Sequence, residues 1–447
     1  MKVFCGINRK GGYILKSVKI GIIGFGTVGS GTAKVLTENR DIIEKKTDCQ
    51  VSIKTICVRD INKTRKFTVE GSTMTDNAED ILRDPEINIV VEVMGGIEKS
   101  KKIIEEAFRR GKHVVTANKD LIAEHGKELT ELARQNNLHF FYEAAVAGGI
   151  PILRSLQYSL TGNRIQKIGG IINGSTNYIL TRTEVERLSL ETIIEDAKSL
   201  GYLESDPSAD LDGLDAARKC AILASIGFNS LVTFNQVYVS GIRKIELEDI
   251  EYADKMGYSI KLLAVAENRE DGIVARVHPA LIPKDHPLAS VQYAFNAVYV
   301  IGNMVGETMF YGKGAGDLPT GSAVANDVIN ICKSLVNDSK AEYAYDLFED
   351  KKIISIEKQY FQYYVRLKVE RDKKTVSNFV RTFEYYNIPI YSINQWEKED
   401  EDGNKYDEYI AITNKCRELD FERAIEEINM LSSIIDEAKA IRIERGL

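Results

Sequence analysis

The stretch Val18-Lys19-Ile20-Gly21-Ile22-Ile23-Gly24-Phe25-Gly26-Thr27-Val28-Gly29 decides the fold. It begins as a run of apolar, mostly β-branched residues, which suits a strand covered on both faces. It then passes through Gly24-Phe25-Gly26-Thr27-Val28-Gly29 into a segment of helical character opening near Val28. Three glycines have three separate uses: a tight turn, close approach of backbone to a pyrophosphate, and close packing of helix on strand. The helix amino terminus adds unpaired N–H donors and the positive end of a dipole. In this strand–loop–helix setting the motif predicts dinucleotide binding, although a purely structural glycine-rich turn has the same spelling.

Outward from this motif, VSIKTICVR, INIVVEVM, HVVTAN and LHFFYEAA read as further apolar strands, with amphipathic helices between them. Such alternation predicts a doubly wound, Rossmann-type parallel sheet over residues 1–145. Residues 146–319 change character, with helical stretches near 190–200 and 213–227 followed by β-rich pieces around the turn Arg269-Glu270-Asp271-Gly272. A mixed α+β domain, an antiparallel or mixed sheet with helices on one face, is expected there. A helix over 320–340 is expected to return to the first domain, and charged residues 341–358 read as a linker. In 359–447, Phe361, Tyr363, Val365, Leu367 and Val369 alternate as a strand with one buried face. Val376, Phe379, Val380 and Phe383, then Phe421, Ala424, Ile425 and Ile428, make two helical stripes. The order βαββαβ predicts a ferredoxin-like unit.

The chain has 447 residues, too many for one compact domain at roughly 150 residues each. Its 44% hydrophobic and 28% charged residues describe an ordinary globular protein. The net charge of −7, with no basic stripe, argues against nucleic acid as a partner. No apolar run approaches the roughly 20 residues that span a bilayer, and the amino terminus has no signal-like apolar core. Six scattered cysteines fit reduced thiols in a cytoplasm, and five scattered histidines argue against a His-rich metal site.

Four further stretches carry chemistry. At the end of the second strand stands Val58-Arg59-Asp60, followed by Lys63 and Arg65. Arg59 suits a bidentate grip on a ribose 2′-phosphate, which favours NADP; Asp60 keeps NAD open. Thr116-Ala117-Asn118-Lys119 closes another strand, at the edge that faces the ligand crevice in open parallel sheets. The densest stretch runs from Gly201-Tyr202-Leu203-Glu204 through Asp210 to Asp215 and Lys219. Asp215 and Lys219 are four apart and share a helix face, as a surface ion pair would, or as a carboxylate cluster beside a proton-shuttling amine. A late glycine-rich run, Gly312 to Gly321 with Gly316 inside it, suits close approach to a ligand or a plain interdomain loop.

Together, GFGTVGSG, VTANKDLIA, EAAVAGGIPI, GIINGSTNYIL, GYLESDPSADLDGLDAARK and YGKGAGDLPTGSAV run in order from about residue 18 to 340. In these segments the chain resembles homoserine dehydrogenase with a carboxy-terminal ACT domain. The resemblance implies reversible NAD(P)-dependent interconversion of L-homoserine and L-aspartate 4-semialdehyde, within synthesis of threonine, methionine and isoleucine. It implies that Lys219 is the general acid/base, with Lys119 beside it. Glu204, Asp215, Asp210 and Tyr202 would hold the substrate. Gly24, Phe25, Gly26, Thr27, Val28, Gly29, Arg59, Thr116, Lys119, Gly201 and Gly316 would contact the cofactor. It further implies a sodium ion on the main-chain carbonyls of Glu143, Val146, Gly148 and Ile150, and a homodimer or larger homo-oligomer.

Two departures stand out. The first loop of an ACT domain usually carries a Pro-Gly pair before its helix, where this chain has Asp372-Lys373-Lys374-Thr375-Val376, so feedback by an amino acid is not implied. Residues 1–17 match nothing in the family. Two other readings fit parts of the sequence. A phosphorylating aldehyde oxidiser needs a cysteine nucleophile, for which Cys220 is the only candidate near a motif. A non-catalytic sensor of a dinucleotide and an amino acid needs no proton-transfer group.

Overall fold

The computed structural model describes residues 6–10, 13–199, 203, 206–341, 349–371, 373–400 and 403–446, with side chains of 6–15 and 373–375 left aside. The chain forms two compact units. One comprises Met1–Ile165, Ala221–Phe234 and Asn296–Asp350; the other comprises Gln166–Cys220, Asn235–Phe295 and Lys351–Leu447.

In the first unit six strands lie parallel in the order Thr73–Thr75, Cys49–Cys57, Tyr13–Ile23, Ile87–Glu92, His113–Thr116, Phe140–Phe141. Numbered along the chain this is 3-2-1-4-5-6, the doubly wound arrangement whose strand order reverses beside the first strand. Gly6–Lys10 adds an antiparallel strand against Tyr13–Ser17. The apolar runs read from the sequence are buried: Val18, Ile20 and Ile22 face one core with Ile56, Ile89 and Val91. Helix Asp317–Val336 joins that core through Ala323, Val324, Val328, Ile331 and Cys332, so the expected return helix is present. It crosses helix Thr27–Glu38 at backbone contact. A Cβ on Gly321 would stand 2.5 Å from the carbonyl carbon of Gly31, so only glycine fits there.

In the second unit one mixed sheet runs Ile165–Ile171, Tyr258–Arg269, Gly272–Pro283, Lys439–Ile443, Tyr360–Glu370, Lys405–Thr413, Ile390–Glu399. The expected turn at Arg269–Gly272 closes a hairpin of two twelve-residue strands. The last four strands and helices Lys373–Tyr385 and Glu418–Asn429 form the expected βαββαβ unit, with strand order 4-1-3-2 and every neighbour antiparallel. Phe361, Tyr363, Val365, Leu367 and Val369 line its core with Phe379, Phe383, Phe421 and Ile428.

The sequence predicts a single buried face for Tyr360–Glu370, and the structure covers both. Tyr364 and Arg366 point the other way, where Arg366 Nε donates to Asp249 Oδ1 at 2.6 Å and Nη2 to Glu246 Oε2 at 2.6 Å. Glu246 caps helix Leu247–Lys255 and Asp249 lies in its first turn. Periodicity does not announce a face buried by ion pairing. The βαββαβ sheet also continues into the hairpin, because Ala280 and Leu281 pair in parallel with Arg442 and Ile443.

Candidate active site

The glycine loop sits at the carboxyl end of the first unit's central strand, where strand order reverses. Gly24 has φ +101°, and a Cβ there would stand 2.6 Å from the carbonyl oxygen of Val93, so the turn admits glycine alone. A Cβ on Gly29 would stand 2.1 Å from the carbonyl oxygen of Gly24, which is the helix-on-strand use of the third glycine. Gly26 differs: no atom lies within 4 Å of where its Cβ would be. Its freedom is toward the open side, where helix Thr27–Glu38 starts with no side-chain cap on its N–H groups.

A cavity of about 750 Å³ opens there, lined by Gly24, Phe25, Gly26, Arg59, Lys63 and Lys99 among others. Its room, its bare helix terminus and a lining in which Arg59, Lys63, Arg65 and Lys99 outnumber Asp60 and Asp76 fit a dinucleotide. Arg65 also lines it, but its guanidinium holds the loop, donating to the carbonyls of Lys63 at 2.7 Å and Asp60 at 2.5 Å. Asp60 Oδ1 accepts the Asn62 N–H at 2.9 Å and so closes its own turn.

Two strands along, buried Glu92 organises the crevice edge. Its carboxylate accepts Thr116 Oγ1 at 2.7 Å, Ser100 Oγ at 3.0 Å and the Met94 N–H at 2.9 Å. Asn118 caps the next helix, accepting the Leu121 N–H at 3.1 Å, which places Lys119 in the first turn of Lys119–Gln135. Sequence reasoning missed Glu92, which was read only as one residue of an apolar strand.

In the second unit the acid-rich stretch converges. Lys219 Nζ donates to Asp215 Oδ2 at 2.7 Å and to the carbonyl of Ile172 at 3.0 Å. Asn173 Nδ2 donates to Asp210 Oδ1 at 2.6 Å and Asp215 Oδ2 at 2.9 Å. Asp215 is buried and Lys219 half-buried, which a solvated ion pair on a helix surface would not be. Gly201, Tyr202 and Glu204 lie outside the described residues. Cys220 beside this lysine points into the core, and burial pushes its thiol up to about 12. A buried thiol pushed up in this way does not suit a nucleophile, so Cys220 reads as core.

The segment from Glu143 to Ile150 is built as a tight loop. Ala147 and Gly148 are both left-handed, and a Cβ on Gly148 would stand 2.3 Å from the carbonyl oxygen of Gly314. The Glu143 carboxylate accepts the N–H groups of Leu153 and Arg154 at 2.8 Å, while its own N–H donates to Asp327 Oδ2 at 2.9 Å. Burial, then the charge of Glu143, pushes Asp327 up to about 8. Gly316, at φ +124°, precedes the return helix. Among the described residues no cluster of three or more His, Cys, Asp or Glu is placed to hold a metal ion, and no helix is long and apolar enough to cross a membrane.

The model of the homoserine dehydrogenase NAD-binding domain matches residues 24–143, and that of homoserine dehydrogenase matches 151–329. The chain is 37% identical over 430 residues to homoserine dehydrogenase of Bacillus subtilis, covering 96% of this chain and 99% of that one. It is 41% identical over 439 residues to that of Synechocystis, covering 96% and 99%. A homoserine dehydrogenase structure from Thiobacillus denitrificans superposes with TM-score 0.90 at 37% identity, covering 96% of this chain and 99% of that one. A hyperthermophilic archaeal homoserine dehydrogenase mutant in complex with NADPH superposes with TM-score 0.60 at 29% identity, covering 70% and 97%. With a nucleotide-binding crevice, a lysine–carboxylate cluster and full-length relatives of one activity, the chain belongs to the homoserine dehydrogenase family, NAD(P)-dependent oxidoreductases that interconvert L-homoserine and L-aspartate 4-semialdehyde.

Proposed function

We propose that Lys219 moves the proton in this reaction, taking it from the C4 hydroxyl of homoserine in oxidation and returning it in reduction. The observation that carries this reading is the seat of Nζ, fixed by Asp215 Oδ2 at 2.7 Å and the Ile172 carbonyl at 3.0 Å. An amine so oriented is a proton-transfer group with little left to reorganise. Asp210 and Asp215, with Glu204 and Tyr202, receive the substrate's ammonium group, and Lys119 assists in proton transfer or substrate placement. When bound, the nicotinamide supplies the accepting or donating carbon.

The cofactor is NADP. Gly24, Phe25, Gly26, Thr27, Val28 and Gly29 take the pyrophosphate, Arg59 the 2′-phosphate, and Thr116, Lys119, Gly201 and Gly316 the nicotinamide side. The support is the cationic rim of Arg59, Lys63 and Lys99 on the cavity. Sodium on the carbonyls of Glu143, Val146, Gly148 and Ile150 would pin their loop, whose left-handed pair Ala147–Gly148 turns successive peptides in different directions. Residues 1–145 with 320–340 act as the cofactor domain, 146–319 as the substrate domain, and 359–447 as an ACT-type domain. The assembly is a homodimer or larger, supported by two exposed sheet-end strands, Gly306–Lys313 and Ile390–Glu399. Five described cysteines are free, which suits a cytoplasm.

Initial rates with L-homoserine and NADP or NAD test this reading, for wild type and for Asp215→Asn. Wild type should turn over with NADP preferred, and Asp215→Asn should lose at least about tenfold in kcat/KM. Absence of turnover with both cofactors would overturn it.

A further inference from the structure

The carboxylate pair raises a physical problem. Asp210 and Asp215 lie close enough to share one donor, and two like charges so near each other repel unless something stands between them. What stands between them is Asn173. Its Nδ2 reaches Asp210 Oδ1 at 2.6 Å and Asp215 Oδ2 at 2.9 Å. Its Oδ1 accepts the Thr176 N–H at 2.8 Å and the Thr176 hydroxyl at 2.9 Å. These partners also fix which end of the amide is which: an N–H needs an acceptor and a carboxylate needs a donor. Asn173 is thus the cap of helix Gly174–Glu186 and the bridge of the acid pair at once. The residue before it, Ile172, supplies the carbonyl that seats Lys219.

We propose that Asn173 is a positioning residue of the reaction: helix Gly174–Glu186 holds its amide, and the amide holds both aspartates in place around Lys219. The inference rests on the reading of Asp210, Asp215 and Lys219 as the substrate end of the site. Asn173 itself need not touch the reacting atoms. Among the described residues, Asp210, Asp215 and Lys219 are charged groups of this network.

One substitution separates the two jobs. Asn173→Asp keeps an oxygen for the Thr176 N–H, so the cap survives, but it puts a third carboxylate where the donor was. Asn173→Ser keeps a cap and one hydroxyl donor. Rates of homoserine oxidation with NADP between pH 6 and 9, together with thermal melts, test the proposal. Asn173→Asp should melt close to wild type and lose about 10- to 100-fold in kcat/KM at pH 8, mostly through KM for homoserine. The loss should shrink as pH falls, because a proton shared among three carboxyl groups restores the missing hydrogen bond. Asn173→Ser should lie between the two. A role in capping alone would leave Asn173→Asp like wild type in KM and pH profile, and that result overturns the proposal. Should Asn173→Asp not fold, Asn173→Ser with wild-type KM would overturn it equally. Lys219→Ala run alongside distinguishes the failures. If Lys219→Ala stays active, the reading of the cluster falls; if it is inactive while Asn173→Asp is normal, only the role of Asn173 falls.

Discussion

Arg59 and Arg65 carry the same charge on the same cavity and do different work. Arg65 is tied to the carbonyls of Asp60 and Lys63, so it shapes the loop. Arg59 lines the cavity, and it is the group we propose is offered to the ligand. Arg59→Ala is therefore expected to raise KM for NADP about 10- to 100-fold, the worth of a charge-assisted contact, with KM for NAD little changed. Equal losses with both cofactors would mean that Arg59 works as Arg65 does. The sequence shows both arginines and cannot say which is consumed by its own backbone, since that depends on the turn. Cys220 makes the opposite point. Its thiol is pushed up to about 12 by burial, so Cys220→Ala should keep kcat within about twofold and lower only the melting temperature. Loss of turnover with the fold intact would restore a nucleophilic role. Asn173 escaped notice because one asparagine in a quoted motif carries no sign of its partners 37 and 42 residues away.

At the scale of elements, the glycine loop allows stability and binding to be separated. Gly29→Ala would drive a methyl to 2.1 Å from a carbonyl oxygen and should destabilise the first unit by more than about 1–3 kcal/mol, visible in urea unfolding. Gly26→Ala meets nothing within 4 Å, so it should melt like wild type and still weaken NADPH binding, read by fluorescence titration. Equal stability loss in both variants would contradict the separate roles. The parallel strands and the βαββαβ unit were legible because their buried positions are apolar with clean periods. Helix Gly174–Glu186 was not, because the face it buries includes Thr176, Asn177, Thr181 and Thr183. A helix packed through polar side chains has no stripe to read. Arg366, among the most buried side chains of its strand, hid the second covered face for the same reason.

For the whole molecule, the second unit carries ion pairs built on the buried arginines Arg276 and Arg366. Burial alone would raise Glu246 and Glu267, yet Arg366 and Lys439 hold the first, and Arg276, Lys167 and Arg269 the second, at about 2. Arg276 also donates to Glu444 Oε1 at 2.6 Å, tying the hairpin to the last strand. Folded values below the ordinary 4.5 mean that the folded state binds fewer protons than the unfolded chain. This stabilisation is complete above about pH 4.5–5 and disappears as pH falls toward 2. Circular dichroism and urea midpoints should therefore fall steeply between pH 5 and 2.5, and a flat profile would contradict the assignment. The family was legible over most of the chain. The arrangement of the site was not, because its groups come from segments far apart. In the chemistry proposed above, Lys219 transfers the proton. The direct test is kcat/KM for L-homoserine in Lys219→Ala, with NADPH affinity measured on the same preparation. A loss of at least about 100-fold with unchanged NADPH binding is the predicted result. Activity within tenfold of wild type, with the same NADPH affinity, would contradict it.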